Sequence, residues 1–157
     1  MTAAERPDAQ TPPEPDEAMR ARVQASIERQ GMMKTLGVEL IAVERGRVEL
    51  ALRHDERFTQ QHGFLHAGAV AAVLDSACGY AAYSTMRPGA EVLTATYTIN
   101  LLAPAAGDRF AITGQVIRSG RTLVVCRGEA FAAGAAAPFA VMQATMMALY
   151  DRPGLSG

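Results

Sequence analysis

The sequence predicts an α+β fold in which one long helix is covered by an antiparallel sheet. Three observations lead there. Residues 67–86 form a run of small and apolar side chains broken by a single charge, long enough for about five helical turns. Residues 91–150 read as an almost unbroken β region with short connections, so neighbouring strands run antiparallel, because a parallel return needs a crossover of a dozen residues or more. A helix this apolar must be covered, and a sheet with one apolar face can curl around it.

The elements follow in order. Met19, Val23 and Ile27 recur at i, i+4 and i+8 on a first helix that Asp16 is placed to cap and Gly31 to end. Residues 38–43 and 47–52 read as a hairpin about the turn at Glu44 to Gly46, and residues 53–65 as a loop leading into the central helix at about Ala67. Residues 91–102 alternate strictly, with Leu93, Ala95, Tyr97, Ile99 and Leu101 on a core face and Thr94, Thr96, Thr98 and Asn100 on a polar one. Residues 104–108 read as a turn, 109–118 as a strand, Ser119-Gly120 as a tight connection, 121–131 as a strand, and 138–150 as the last strand after a break at Gly134. The expected order is helix, hairpin, central helix and a four-stranded meander.

The chain has 157 residues, 49% of them hydrophobic, enough for one core and therefore one domain, placed over residues 16–150. Residues 1–15 are rich in Pro, Glu, Asp and Ala and carry too little apolar surface to order themselves; they and residues 151–157 are expected to be tails. The formal net charge is -1 and the 15 Lys and Arg residues are spread along the chain, which excludes an electrostatic footprint for nucleic acid or an anionic membrane. The N-terminus lacks a basic n-region and an apolar h-region, so a cytoplasmic location is expected. The partners left are small molecules and protein, including further copies of this chain. Cys78 and Cys126 show no metal-ligand spacing and read as small, reduced core residues.

Asp75 is the one charge in the apolar run. A buried unpaired charge is costly enough that the group neutralises, finds a partner, or faces a polar cleft. Its neighbours one turn away, Ala71, Ala72, Cys78 and Gly79, are small and leave room for a ligand. Before the helix stands QQHGFLHAG, from Gln60 to Gly68. Helix starts leave backbone N–H groups free, and with the macrodipole they suit a developing oxyanion such as hydrolysis of an ester or thioester produces. Ala67 and Gly68 are expected to donate there, with Asp75 as the base or nucleophile. Asp75 lies eight residues beyond Ala67, roughly 12 Å along one helix, so one helix cannot place both on one carbonyl. Two antiparallel helices from two subunits can, giving two equivalent sites per dimer. His62 and His66 have the i, i+4 spacing of metal ligands, but Gly63 argues against a helix there and no third ligand is evident, so no metal site is expected.

The run HAGAVAAVLD, Gly79, the segment LTATYTINLLAPAAGDR and the later RSGRTL resemble the hotdog-fold acyl-CoA thioesterases of the phenylacetyl-CoA thioesterase (PaaI) type. The resemblance covers about residues 36–150. It implies a long helix wrapped by a curved antiparallel sheet, paired into homodimers or dimers of dimers, acting on acyl-CoA without a cofactor. The family signature of His-Gly-Gly followed by an Asp falls on His66, Ala67, Gly68 and Asp75. By resemblance, Asp75 is the base or nucleophile and the Ala67 N–H the donor to the thioester carbonyl. Gln60 stands where the family often has an Asn that orients water or the thioester, and Thr94 where some members have a Ser or Thr that holds the attacking water. His66 shapes the loop, and Arg118 and Arg121 contact coenzyme A phosphates. Two departures stand out: Ala67 adds a methyl where the family has Gly, and Gln60 lengthens the polar arm by one methylene. The competing readings are a hotdog hydratase or dehydratase using His66 with Asp75, and an acyl-CoA-binding module without turnover.

Overall fold

The computed structural model describes residues 14–150. Of the expected tails, only Glu14 and Pro15 fall among the described residues. The first helix, α1 (Asp16–Ile27), buries Met19, Val23 and Ile27 as the spacing predicts. Its ends differ from expectation. Pro15 holds the N-cap position, and the Asp16 carboxylate meets Arg45 at 3.1 Å instead of capping. The helix stops at Ile27, and Gly31 opens a separate short helix, α2 (Gly31–Leu36), which buries Met33 and Leu36. Six residues are too few to show a helical period, so Gly31 reads in sequence as an end when it is a beginning. Gly37, at φ 69°, closes α2 in the left-handed conformation that glycine adopts without steric cost.

The hairpin β1 (Glu39–Glu44) and β2 (Arg47–Arg53) forms as predicted, within a residue or so at each end. The central helix α3 (Ala67–Tyr83) follows, and then β3 (Ala90–Leu101), β4 (Arg109–Ser119), β5 (Leu123–Ala132) and β6 (Ala140–Tyr150). All pairings are antiparallel, and the six strands lie in the order β1-β2-β4-β5-β6-β3. The expected four-stranded meander is therefore correct for β4 to β6 only. β3 leaves the chain order and forms the far edge beside β6, while β4 inserts next to β2. Residues 102–108 are not a hairpin turn but pass across two intervening strands, about 14 Å at the usual strand spacing. Turn residues signal where a strand ends; they carry no information about which partner the next strand finds.

Helix α3 lies on one face of the sheet, in contact with β2 to β6. Two glycines let it sit close. Gly114 and Gly128 are cross-strand partners in β4 and β5. A Cβ at Gly114 would stand 2.2 Å from the Ala77 carbonyl oxygen, and one at Gly128 would stand 3.0 Å from Cys78 Sγ and from a Leu74 methyl. The helix backbone thus rests directly on a bare patch of sheet. Val73, Leu74, Ala77 and Cys78 fill the space around it with Ile112, Cys126, Met142 and Met146, all buried. Both cysteines are free and buried, as expected, and burial pushes the Cys78 thiol far up and the Cys126 thiol up to about 12.

The strict alternation expected of β3 fails at one point. Thr94 pairs with Met146 and Thr96 with Thr145, so Ala95 is an extra residue, a β-bulge. Directly paired residues project to the same face. Met146, Ala144, Met142 and Ala140 are buried under α3, so Thr94, Tyr97, Ile99 and Leu101 share the helix side, while Leu93, Thr96, Thr98 and Asn100 face away. The core face assigned from sequence is also largely open: Leu93, Tyr97 and Leu101 are 47%, 44% and 51% exposed, because β3 is the edge of the sheet and the bulge turns Leu93 away from α3.

Candidate active site

The bulge in β3 creates the first half of the site. By re-aiming Thr94 toward α3, it brings the Thr94 hydroxyl to 2.8 Å from Asp75 Oδ1, as donor to the carboxylate. Asp75 is half-buried on α3, and burial raises its pKa above the ordinary aspartate range, with the Thr94 hydrogen bond opposing part of that shift. A carboxylate that is short of water yet held by one hydroxyl suits proton abstraction or direct attack. It opens into a cleft of about 130 Å³, whose other walls include Tyr80, Ser76, Ser26 and Gln30.

Of these four, Tyr80 is named from sequence as a candidate lining of an acyl pocket, with core as the competing role, and Ser76, Ser26 and Gln30 are not singled out. Ser76 donates to Gln30 Oε1 at 3.2 Å, and the Tyr80 and Ser26 hydroxyls lie 3.3 Å apart. Ser76 and Tyr80 follow Asp75 on α3 and stand one turn apart from each other. Ser26 and Gln30 come from α1 and its exit, and nothing local marks them.

The second half lies at the start of α3. His66 is the N-cap: its backbone is extended, at φ -64° and ψ 138°, and its Nδ1 accepts from the Gly68 N–H at 2.9 Å. This corrects the expectation that Gly68 donates to substrate, since its N–H is already taken. Among the described residues the Ala67 N–H makes no hydrogen bond, and it lines a 540 Å³ groove with Gln60, His62, Phe64 and Leu102. Gln60 turns its own loop: its side-chain oxygen accepts from the His62 N–H, and its backbone exchanges bonds with Gly63 and Phe64. The side-chain amide nitrogen keeps its donors. The loop is further pinned by His66 N–H to the Phe58 carbonyl at 2.8 Å and Leu65 N–H to the Ala105 carbonyl at 3.3 Å. His62 and His66 do not share a helix face, and among the described residues no group of three His, Cys, Asp or Glu side chains could hold a metal ion.

Arg118 and Arg121 stand apart from both halves. β4 ends at Ser119 and β5 begins at Leu123, so the connection spans three residues, one more than predicted, with Arg118 on the strand and Arg121 in the turn. Both are exposed, and among the described residues neither side chain makes a hydrogen bond or ion pair. The neighbouring Ser119 hydroxyl lies 3.4 Å from that of Thr85, just beyond the C-terminal end of α3. Ala67 is at the opposite end, about 25 Å away along a 17-residue helix. One chain therefore places the Asp75–Thr94 pair, the Ala67–Gln60 pair and the two arginines at three separate stations along α3.

The profile of the Thioesterase superfamily matches residues 62–137, a stretch that contains both Ala67 and Asp75. A solved thioesterase family protein from Silicibacter pomeroyi is 48% identical, covers 84% of this chain and 98% of its own, and superposes with a TM-score of 0.81. The E. coli PaaI protein superposes with a TM-score of 0.78 over 85% of this chain and 95% of its own; at 22% identity that likeness speaks for the fold. Human acyl-coenzyme A thioesterase 13 is 28% identical over 109 residues, 68% of this chain and 77% of its own length.

Proposed function

The chain belongs to the thioesterase superfamily, a thioester hydrolase of hotdog fold, and from that premise we propose that it hydrolyses acyl-CoA through Asp75 at a site shared by two copies. The observation that carries this reading is the Asp75 carboxylate, half-buried on α3 and held by the Thr94 hydroxyl at 2.8 Å in an open cleft. The likeness to a named acyl-coenzyme A thioesterase supports the choice of thioester. Asp75 takes a proton from water as the water oxygen adds to the thioester carbonyl, or adds to that carbonyl itself to give an acyl-aspartyl intermediate that water then cleaves. In either route the C–S bond breaks and coenzyme A leaves as the thiol, protonated by the Asp75 carboxyl or by water, while the Ala67 N–H of the other copy stabilises the oxyanion and the Gln60 amide orients the carbonyl or the water.

The open edge of β3 supports the second copy. An exposed strand edge is a template for pairing, and this one carries the exposed apolar side chains Leu93, Tyr97, Leu101 and Leu102. Two such edges pairing antiparallel about a two-fold axis would join the sheets and set both α3 helices side by side on one face. In that arrangement the Asp75 of one chain approaches the helix start of the other, which no single chain achieves. A hydratase built on His66 has less support, because the His66 Nδ1 is committed to capping α3.

The test is release of free coenzyme A thiol from a panel of acyl-CoA thioesters by the wild type and by Asp75→Asn. Turnover that collapses in the variant, at unchanged fold and oligomeric state, is expected. Tight acyl-CoA binding with no thiol release by either protein would instead favour the binding module, and equal turnover by both would remove Asp75 from the mechanism.

A further inference from the structure

The groove at the start of α3 is walled by the turn from Gln60 to Phe64 on one side and by residues 101–105 on the other. The turn holds its own shape. Gln60 N–H donates to the Phe64 carbonyl and Gly63 N–H to the Gln60 carbonyl, each at 2.9 Å, and the Gln60 side-chain oxygen accepts from His62 N–H. Those bonds do not fix where the turn sits, and Gln61, His62 and Gly63 are exposed, so little burial holds it either. Among the described residues one side chain from outside the turn hydrogen-bonds it: His54 Nε2 lies 3.0 Å from the Gly63 carbonyl. A carbonyl only accepts, so Nε2 carries the proton.

His54 is a firm base for such a strap. It directly follows β2, whose last residue, Arg53, pairs with Arg109 of β4, and its own N–H donates to the Asp108 carbonyl at 2.9 Å. Asp108 ends the crossing segment whose Ala105 carbonyl accepts from Leu65 N–H. One residue at the end of the sheet therefore ties both walls of the groove. We infer that His54 is a positioning residue for the reaction, holding the turn through Gly63 so that the Gln60 amide and the Ala67 N–H keep their places at the thioester carbonyl. This rests on the reading of Gln60 and Ala67 as the groups that meet that carbonyl. Placement matters because a donor serves an oxyanion only within roughly 2.7–3.1 Å of it, and a displacement of about 1 Å can cost on the order of 100-fold in rate.

Three substitutions isolate the imidazole, since the backbone bond to Asp108 stays in all of them. His54→Gln keeps an N–H as many bonds from the backbone as Nε2, His54→Asn places it one bond short, and His54→Leu has no donor. kcat and KM are measured well below each melting temperature, with the acyl-CoA that wild type turns over fastest. His54→Leu and His54→Asn are expected to lose about tenfold or more in kcat with KM within about twofold, and His54→Gln to recover most of that loss. Made on top of Gln60→Ala, His54→Leu is expected to cost less than it does alone, because the two residues act as one unit. A fall in melting temperature alone, a Gln variant as poor as the Leu variant, or losses that multiply would overturn the inference. Amide hydrogen exchange at Gly63 and Leu65, read by NMR, needs no substrate: it is expected to quicken in His54→Leu and to return to the wild-type rate in His54→Gln. Exchange that responds in this way while wild type releases no thiol removes the hydrolase and leaves His54 holding the turn, whereas thiol release with exchange and kcat unmoved in His54→Leu does the reverse.

Discussion

At the scale of single residues, Asp75 carries a conflict between stability and chemistry. Its folded pKa is raised, so the protonated form is the one the folded state prefers. The stability contributed by that preference is fully present below the unfolded-state aspartate pKa and is lost as pH rises through the folded value. At neutral pH the ionised carboxylate is therefore a net cost. Asp75→Asn, which keeps an oxygen to accept from Thr94, is expected to melt at or above the wild-type temperature at pH 8, with the difference shrinking as pH falls toward 4; calorimetry at both pH values checks this. Activity moves the opposite way, because only the ionised form abstracts a proton or attacks. Thr94→Val removes the hydrogen bond that opposes the upward shift, so the acid limb of kcat/KM is expected to move to higher pH, and an unmoved limb would deny Thr94 its role. His66 makes a separate point. If it is only a cap, His66→Asn keeps both stability and turnover, since Asn is among the best N-caps, while His66→Ala costs about 1 kcal/mol in chemical denaturation.

At the scale of elements, the seat of α3 on the sheet is tested at Gly114. A methyl there meets helix backbone at 2.2 Å, which no rotamer change can relieve. Gly114→Ala is expected to destabilise by about 3 kcal/mol or more, the upper range for overpacking, read from the urea midpoint. The same element scale explains what the sequence revealed and what it hid. Asp75 stood out because one charge in an apolar helix is a local anomaly, and Met19, Val23 and Ile27 because the helical period is local too. The Gly114–Gly128 seat is a contact between elements distant in sequence, and neither glycine differs from a turn glycine when read alone. Thr94 matched by its offset from Asp75, yet strict alternation sent it to the wrong face, because a bulge is one extra residue that leaves no mark in a polar-apolar pattern. The burial of β3 was misjudged for a related reason: a period of two says that a strand has an apolar face, not which element covers it. The α3 C-terminus was equally silent in sequence. Arg22 donates to the Tyr83 and Met86 carbonyls and pairs with Glu14 at 2.9 Å, while Arg45 reaches the Ser84 carbonyl, so two arginines from other elements satisfy the helix end.

At the scale of the whole molecule, the question is whether the two halves of the site come from one chain or two. Ala67 is the first residue of α3 and its N–H has no partner among the described residues. Proline is tolerated at that position, where its fixed φ suits the helix and its missing N–H breaks no internal bond; the extended backbone of His66 also satisfies what a following proline demands. Ala67→Pro therefore deletes one donor while keeping the helix, and kcat is expected to fall by about 100-fold or more, the usual cost of an oxyanion donor. Asp75→Asn deletes the other half. In homodimers of either variant both sites are broken. Unfolded together and refolded as an equal mixture, the two variants form hybrid dimers in which one site has lost both groups and the other has lost neither. Statistical assortment makes half the dimers hybrids with one of two sites intact, so roughly a quarter of wild-type activity should return. If each site is built within one chain, every chain in the mixture stays defective and nothing returns. Recovery without a dimer in solution is impossible on the shared-site reading, so sedimentation of the mixture closes the argument: activity must appear in the dimer fraction and vanish on dilution to monomer.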